Sequence, residues 1–222
     1  LPKMMMTTGA CTVKNYTDSK SGKKGEFHHT LGFVVVEIKD QTIFFARQVT
    51  ATDDGDFCDL YNKVTYDYDN DMSSVTKIES VPAAILGDLH YGQHDERVIE
   101  KTLDLFKIIK PENVVLHDVF DGLSINHHES KDPFIQYQRE IEGTNSLRGE
   151  VDSMLNGLKD FEDYNVTIVR SNHDDFLDRW LKGTDWRKAT TMKNSIEYME
   201  YSALILKGAA PNGVIPYLIN QK

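Results

Sequence analysis

The second half of the chain alternates between short apolar runs and longer segments with helical periodicity, and this alternation limits the possible folds more than any other feature. Three apolar runs are typical of buried strands, and they cover residues 81–87, 113–116 and 165–169. Apolar residues at helical spacing predict helices at about 95–110, 133–163, 175–182 and 194–207. The order predicts a layered α/β domain, whose chemistry lies at the carboxyl ends of the strands.

The first third of the chain has a different pattern. Two β-branched and aromatic runs, Leu31–Ile38 and Thr42–Val49, flank a short polar turn and predict a β-hairpin. Residues 53–71 are acidic and aromatic, with one edge strand expected at 63–68, and residues 1–27 are expected to form a solvated loop or an arm that contacts phosphate. We therefore predict a β-rich N-terminal appendage over residues 1–75 and a second domain over 76–222.

Composition narrows the functional classes. The formal net charge of −10 argues against a protein that grips nucleic acid through a broad basic surface, although bound divalent cations can supply positive charge locally. No apolar run is long enough for a membrane span, and no signal-peptide pattern occurs. Two cysteines, Cys11 and Cys58, favour a reducing cytoplasm and leave one disulfide bridge open.

Each of the three predicted strands is followed by a polar cluster. The clusters read Gly87-Asp88-Leu89-His90, His117-Asp118-Val119-Phe120-Asp121 and Ser171-Asn172-His173-Asp174. Helix caps and turns account for single Asp or Asn residues at such positions. They do not account for imidazoles paired with carboxylates at successive strand ends, which metal binding does.

The three clusters resemble the motifs of the calcineurin-like metallophosphoesterases, which run Asp-x-His, Gly-Asp-x-x-Asp and Gly-Asn-His-Asp or Glu. The resemblance covers about residues 80–180 and implies part of a β-sandwich flanked by helices. It implies that Asp88 and His90 hold one metal ion, that Asp118 bridges two, and that Asn172 binds the second.

The same resemblance implies a role for two further residues. His173 would not bind metal but would face the phosphorus and protonate the leaving oxygen. Asp121 would hydrogen-bond His173 and fix its tautomer. The nucleophile would be a hydroxide that bridges two divalent ions, with manganese favoured by the mixed nitrogen and oxygen ligands and iron or zinc as alternatives.

The chain departs from the motifs at several points. His117 and Ser171 stand where the pattern has glycine, and no histidine follows His173, although the family completes its metal sites with later histidines. We expect either that the chain is truncated before those histidines, or that His127 and His128 replace them. The same two histidines are also candidate substrate contacts.

The sequence context favours DNA as the substrate. Protein serine/threonine phosphatases have Arg after the second motif, and Gly122 stands there instead. The Tyr91-Gly92 pair after the first motif resembles the residues that follow this motif in the nuclease branch of the family. The chain is also similar to an early protein of tailed bacteriophages that degrades host DNA. This resemblance would place the chain in the host cytoplasm. The alternatives are a phosphomonoesterase, a cyclic-nucleotide phosphodiesterase or a regulatory module without chemistry. Oligomeric state is left open.

Overall fold

A computed structural model describes residues 4–129, 132–187 and 192–221 of the chain. It is a mixed α/β structure, as predicted, and divides into two compact units, Leu1–Glu79 and Ser80–Lys222. None of the helices in the described ranges is both long and apolar enough to cross a membrane.

The N-terminal unit contains the predicted hairpin. Strands β1 (Gly32–Ile38) and β2 (Phe44–Thr50) pair antiparallel, with Val35 opposite Arg47. The turn between them is held by Asp40, whose Oδ1 accepts hydrogen bonds from the backbone N–H groups of Thr42 and Ile43. The hairpin is therefore confirmed close to its expected boundaries.

Two other expectations for this unit need correction. Three strands form an antiparallel sheet where one edge strand was expected: β3 (Phe57–Asp59), β4 (Asn62–Asp67) and β5 (Met72–Lys77). A helix, α1 (Lys20–Phe27), occupies part of the expected loop, because the Ser19 side chain caps it by accepting from the Gly22 N–H. Cys11 and Cys58 are free and exposed.

The second unit is built on a three-stranded parallel sheet. Its strands, in the spatial order β6-β7-β8, are β6 (Ala84–Leu86), β7 (Val114–His117) and β8 (Val166–Val169). Its helices are α2 (Glu96–Ile109), α3 (Pro133–Glu142), α4 (Leu147–Gly157), α5 (Asp174–Gly183), α6 (Ser195–Leu206) and α7 (Val214–Asn220). Short 3₁₀ turns cover Leu123–Ile125, Leu158–Phe161 and Met192–Asn194.

The long helical region predicted over 133–163 is interrupted. Gly143 ends α3 in the left-handed conformation at φ 72°, and Ser146 caps α4 by accepting from the Gly149 N–H. Each end thus has its own stop or start signal, and two helices replace the single expected one.

The core of this unit lies on one face of the parallel sheet. Val114 and Leu116 of β7 are fully buried there among Phe161, Met154 and their neighbours. The opposite face is open, since Ile85 is 75% exposed and Val169 is 45% exposed. The run at 81–87 predicted a buried strand, and only one of its faces is covered.

Candidate metal centre

The strand ends of the parallel sheet bring the first two polar clusters together. Strands β6 and β7 are parallel neighbours, so their carboxyl ends lie at the same edge of the sheet. Beyond it their loops stay side by side, with the His90 N–H donating to the Asp118 carbonyl at 2.8 Å and the Tyr91 N–H donating to the Val119 carbonyl at 3.2 Å. This backbone pairing sets the distance between the candidate ligands of the two loops.

The backbone at this edge is strained. Asp88, His90 and Asp118 have φ values of 51°, 42° and 53°, in the left-handed region that residues other than glycine rarely adopt. Such residues gather at functional sites, where the surrounding structure holds a geometry that the chain alone would avoid. All three were predicted as metal ligands from the sequence.

Two overlapping groups of side chains in the described residues could hold a cation. In each group the candidate ligand atoms lie within 4.8 Å of one another; the first contains Asp88, His90 and Asp118, and the second contains His90, Asp121 and His173. The Asp88 side chain is 88% exposed, whereas Asp118 is buried. The groups share His90, which therefore stands at the centre of the site.

Asp118 is held as a carboxylate. Burial alone would raise its pKa, but the Ser171 hydroxyl and the nearby imidazoles, His117 foremost, hold the pKa of Asp118 below its ordinary value. Its Oδ2 atom lies 2.6 Å from His117 Nδ1. Its Oδ1 atom is buried and has no hydrogen-bond partner among the described residues.

His90 has the same character. Its Nε2 lies 3.8 Å from Asp88 Oδ1, and its Nδ1 lies 3.0 Å from Asp121 Oδ1 but is buried without a well-aligned hydrogen bond. A carboxylate behind one ring nitrogen is the common arrangement of a metal-binding histidine, because it fixes the tautomer. These carboxylate and imidazole side chains could together bind a metal ion.

The position of His173 differs in one respect from what the resemblance implied. Its Nδ1 contacts the backbone carbonyl of Asp121 at 2.9 Å, and the Asp121 carboxylate lies farther off at 3.9 Å, nearer to His90. The Asp121 side chain therefore faces His90, while its main chain orients His173. The imidazoles of His90 and His173 meet edge to face, with centroids 4.5 Å apart.

Asp174, the last residue of the third cluster, joins two strand-end loops. Its Oδ1 accepts from the Phe120 N–H at 3.3 Å, and its Oδ2 accepts from the Ser171 N–H at 2.9 Å. Burial raises the pKa of Asp174, and these two N–H groups act in the opposite direction. The residue is structural, and it ties the loop after β7 to the loop after β8.

The remaining predicted residues lie outside both groups. Asn172 is exposed at the start of the turn before α5. His127 and His128 are exposed and stack on each other at 3.9 Å, and His127 meets the ring of Phe176 edge-on at 5.7 Å. Since Phe176 in turn stacks on His173 at 4.6 Å, the two loop histidines connect to the site through one aromatic ring.

Three residues at this edge were not among the predicted site residues: His117, whose Nδ1 lies next to Asp118 Oδ2, Ser171, and Glu150 on α4. The Glu150 Oε2 atom accepts from the Ser124 N–H at 3.1 Å and from the Ser124 hydroxyl, in the turn directly after Asp121. For His117 and Ser171 a signal existed, because both replace glycine in the motifs. Glu150 lies on an amphipathic helix, where nothing in the sequence separates it from surface carboxylates.

Comparison with known proteins finds a phage relative. The chain is 32% identical over 193 residues to Protein A1 of Escherichia phage T5, a match that covers 81% of this chain and 33% of the phage protein. The chain thus spans about a third of the length of that curated relative. No family model matches the chain, and no solved structure matches it. The expected similarity to a phage protein is confirmed to this extent.

Proposed function

We propose that the chain is part of a metal-dependent phosphodiesterase that acts on DNA. The observation that carries the proposal is the convergence of Asp88, His90 and Asp118, all in left-handed conformations, at the carboxyl edge of a parallel sheet. Of the six described non-glycine residues with positive φ, three are these candidate ligands, and residues held in such conformations cluster at active sites and ligand-binding loops. The similarity to a phage protein supports a role in phage biology.

Three residues would hold the first divalent ion, namely Asp88, His90 and Asp118. The second ion would share Asp118 and take Asn172, which is exposed at the end of the neighbouring loop. Bound divalent cations neutralise phosphate oxygens and lower the pKa of coordinated water. This local positive charge would also let a chain of net charge −10 approach a polyanion.

His173 would supply the proton for the leaving oxygen. Its Nδ1 faces the Asp121 carbonyl, which can only accept, so Nδ1 carries a proton. When the ring is charged, Nε2 is the nitrogen that can donate to a substrate oxygen. The stack on Phe176 limits rotation of the His173 ring, so the Nε2–H group points in a fixed direction. No protein nucleophile is required.

The test is plasmid degradation with and without Mn²⁺, using the chain and the variant Asp118→Asn. The substitution removes one ligand charge from the buried carboxylate, and we expect Mn²⁺-dependent cleavage to be lost. The matched control is Asp152→Asn on the exposed side of α4, which should cleave normally. Equal cleavage by wild type and Asp118→Asn would refute the proposal. Turnover of p-nitrophenyl phosphate without plasmid cleavage would favour a phosphomonoesterase instead.

A second variant separates proton transfer from metal binding. His173→Gln keeps a polar side chain of similar reach but cannot act as a general acid at neutral pH. We expect turnover to fall by about 10²–10⁴-fold, the usual contribution of acid–base catalysis, with Mn²⁺ affinity changed only a few-fold. A parallel loss of both would mean that His173 is a metal ligand, as its place in the second group of side chains allows.

A further inference from the structure

A small cavity lies beside the candidate metal centre. Its volume is about 210 Å³, and its wall is formed by residues 91–93 in the loop after β6, by Asp121 and Leu123 after β7, and by residues at the α3–α4 junction and in the first two turns of α4. Asp121 belongs both to this wall and to the second group of candidate metal ligands. A phosphodiester bound at that centre would therefore have a neighbouring nucleoside within reach of the cavity.

Two side chains of the cavity wall carry buried oxygens without a hydrogen-bond partner among the described residues. They are Oγ1 of Thr144, in the α3–α4 connection, and Oε1 of Glu150 on α4. Of the five such side-chain atoms in the described residues, two belong to these cavity residues and two to the candidate metal centre. Buried polar atoms without a partner are costly and rare, so their concentration here points to a ligand that supplies the missing contacts.

The contacts of Glu150 define what this ligand must offer. Oε2 accepts from the Ser124 N–H at 3.1 Å and from the Ser124 hydroxyl, which leaves Oε1 for another donor. Burial raises the pKa of Glu150 to about 7, so at pH 8 the group is a carboxylate and can only accept. The cavity therefore suits a ligand that presents an N–H or O–H donor.

In a DNA strand such donors lie on the bases. Deoxyribose lacks the 2′-hydroxyl, and its other hydroxyls are esterified within the strand. Cytosine, adenine and guanine carry amino groups that donate hydrogen bonds, whereas thymine has a carbonyl oxygen where cytosine has its amino group. The cavity is smaller than the roughly 300–1,000 Å³ of pockets that take drug-sized ligands, so its size suits a single ring system.

We propose that this cavity binds one unpaired nucleobase of the substrate strand and selects a base with an amino group over thymine. Glu150 Oε1 accepts from the amino group, and the Thr144 hydroxyl bonds a second polar atom of the base. The proposal rests on the proposed function, because DNA held at the metal centre brings the base to this place. A base in the cavity cannot also pair in a duplex, so single-stranded DNA is the better substrate.

Nucleoside binding tests the cavity without metal and without cleavage. Backbone-amide NMR of the chain, with chelator at pH 8, follows titration with deoxycytidine and with thymidine. We expect signals of residues 143–150 to shift and deoxycytidine to bind about 10–100-fold more tightly, the range for a hydrogen bond to a charged group. Equal affinities, or shifts confined to other residues, would overturn the proposal. Preference for cytidine and uridine over both deoxynucleosides would also overturn it, because the cavity would then select the ribose hydroxyl.

The variant Glu150→Gln reverses the chemistry at one atom. The Ser124 N–H can only donate, so the glutamine amide oxygen takes the place of Oε2 and the amide NH₂ group takes that of Oε1. We expect thymidine, whose O4 accepts, to bind this variant at least as tightly as deoxycytidine does. Misfolding cannot produce this gain of thymidine binding, and an unchanged preference for deoxycytidine would overturn the proposal. The matched control is Glu162→Gln at an exposed position, which should keep the wild-type preference.

The variant Thr144→Val tests the second contact. It removes the hydroxyl at nearly constant shape, and we expect both nucleosides to bind several-fold more weakly with deoxycytidine still preferred. Unchanged affinities would overturn the role of Thr144.

Cleavage of homopolymers then connects the cavity to the proposed function. With Mn²⁺ at pH 8, we expect wild type to cleave single-stranded dC homopolymer about 10-fold or more faster than dT homopolymer, and Glu150→Gln to lose or reverse this preference. Equal rates for wild type would overturn the base selection and leave the proposed function standing. A wild-type chain that cleaves neither polymer would refute the proposed function, while the nucleoside titration would still decide what the cavity binds.

Discussion

Glu150 gives a quantitative test of the electrostatics beside the site. Its side chain on α4 is largely buried, and one oxygen accepts from the N–H and hydroxyl of Ser124. The other oxygen is buried and has no hydrogen-bond partner in the described part of the chain. Burial is the main cause that raises the pKa of Glu150 from 4.5 to about 7, against the opposing effect of the Ser124 hydrogen bonds. The carboxyl group is therefore neutral at pH 5 and ionised at pH 8.

The direction of the effect follows from the two pKa values. Between pH 4.5 and about 7 the folded protein keeps a proton that the unfolded chain has released, so stability falls as the pH rises through this window. At about 1.4 kcal/mol per pH unit, Glu150 lowers the free energy of unfolding by about 3 kcal/mol across this window. The contribution is fully favourable below the unfolded pKa and is lost above the folded one.

The variant Glu150→Gln removes this titration while keeping an acceptor for Ser124. We expect its free energy of unfolding, relative to wild type, to rise by about 3 kcal/mol between pH 4.5 and pH 8. Urea unfolding with chelator present measures it, read through the fluorescence of Trp180, which is buried within the second unit. All other titrating groups cancel in the difference between the two proteins.

The matched control is Glu142→Gln, at the exposed end of α3, where the difference from wild type should change little with pH. If Glu150→Gln and wild type lost stability in parallel from pH 4.5 to pH 8, the raised pKa of Glu150 would be ruled out. Glu150 would then ionise as an ordinary surface carboxylate, and the burial seen in the structure would not persist in solution.

Two further expectations concern the integrity and loading of the site. Asp174→Ala leaves the N–H groups of Phe120 and Ser171 buried without their carboxylate acceptor. We expect the free energy of unfolding, measured in urea, to fall by at least about 2 kcal/mol. Wild-type stability of the variant would contradict the role of Asp174 in connecting the two loops. Mn²⁺ at 100 times its Kd should stabilise the second unit by about 2.7 kcal/mol, seen as a rise in Tm, and His90→Ala should abolish that rise; an equal rise in both proteins would place the ion elsewhere.

Much of the second unit could be predicted from the sequence because its strands are separated by strong signals. The apolar runs at 113–116 and 165–169 correspond to β7 and β8 within one residue at each end, and Pro111 closely follows the end of α2. The three clusters follow these strands directly, and parallel neighbours necessarily end at one edge. That is why Asp88, His90 and Asp118 meet in space although they are far apart in the chain.

The features that could not be predicted depend on tertiary contacts. An apolar strand such as 81–87 has the same sequence pattern whether one face or both are covered, so the 75% exposure of Ile85 was not foreseeable. The break between α3 and α4 depends on Gly143 taking a left-handed φ, which a glycine within a helical pattern permits but does not impose. The helix over Lys20–Phe27 is polar and lacks an apolar stripe strong enough to identify it.

The sequence predicts where the site lies better than it predicts which atoms contact one another within it. Motif spacing brings Asp121 near both His90 and His173, and only the backbone conformation decides that its carboxylate faces the first ring and its carbonyl the second. His117 and Ser171 stand where the motifs have glycine, and the sequence alone does not predict what their side chains contact. In the structure His117 Nδ1 lies 2.6 Å from Asp118 Oδ2, and the Ser171 hydroxyl favours a lower pKa of Asp118 against the effect of burial.

Several unfavourable features lie together at this edge of the sheet. Three non-glycine residues hold left-handed conformations, each at a cost of about 1 kcal/mol or more, and Glu150 becomes ionised in a buried position as the pH rises past about 7. Asp174 and the fully buried side chains beneath β7 offset these costs. At the candidate metal centre, two buried atoms among the described residues remain without a well-formed hydrogen bond, Oδ1 of Asp118 and Nδ1 of His90. A divalent cation would bind the first atom directly. By binding the other ring nitrogen of His90, it would also strengthen the contact between Nδ1 and the Asp121 carboxylate. The arrangement is destabilising when considered as folding alone and coherent when considered as a metal site.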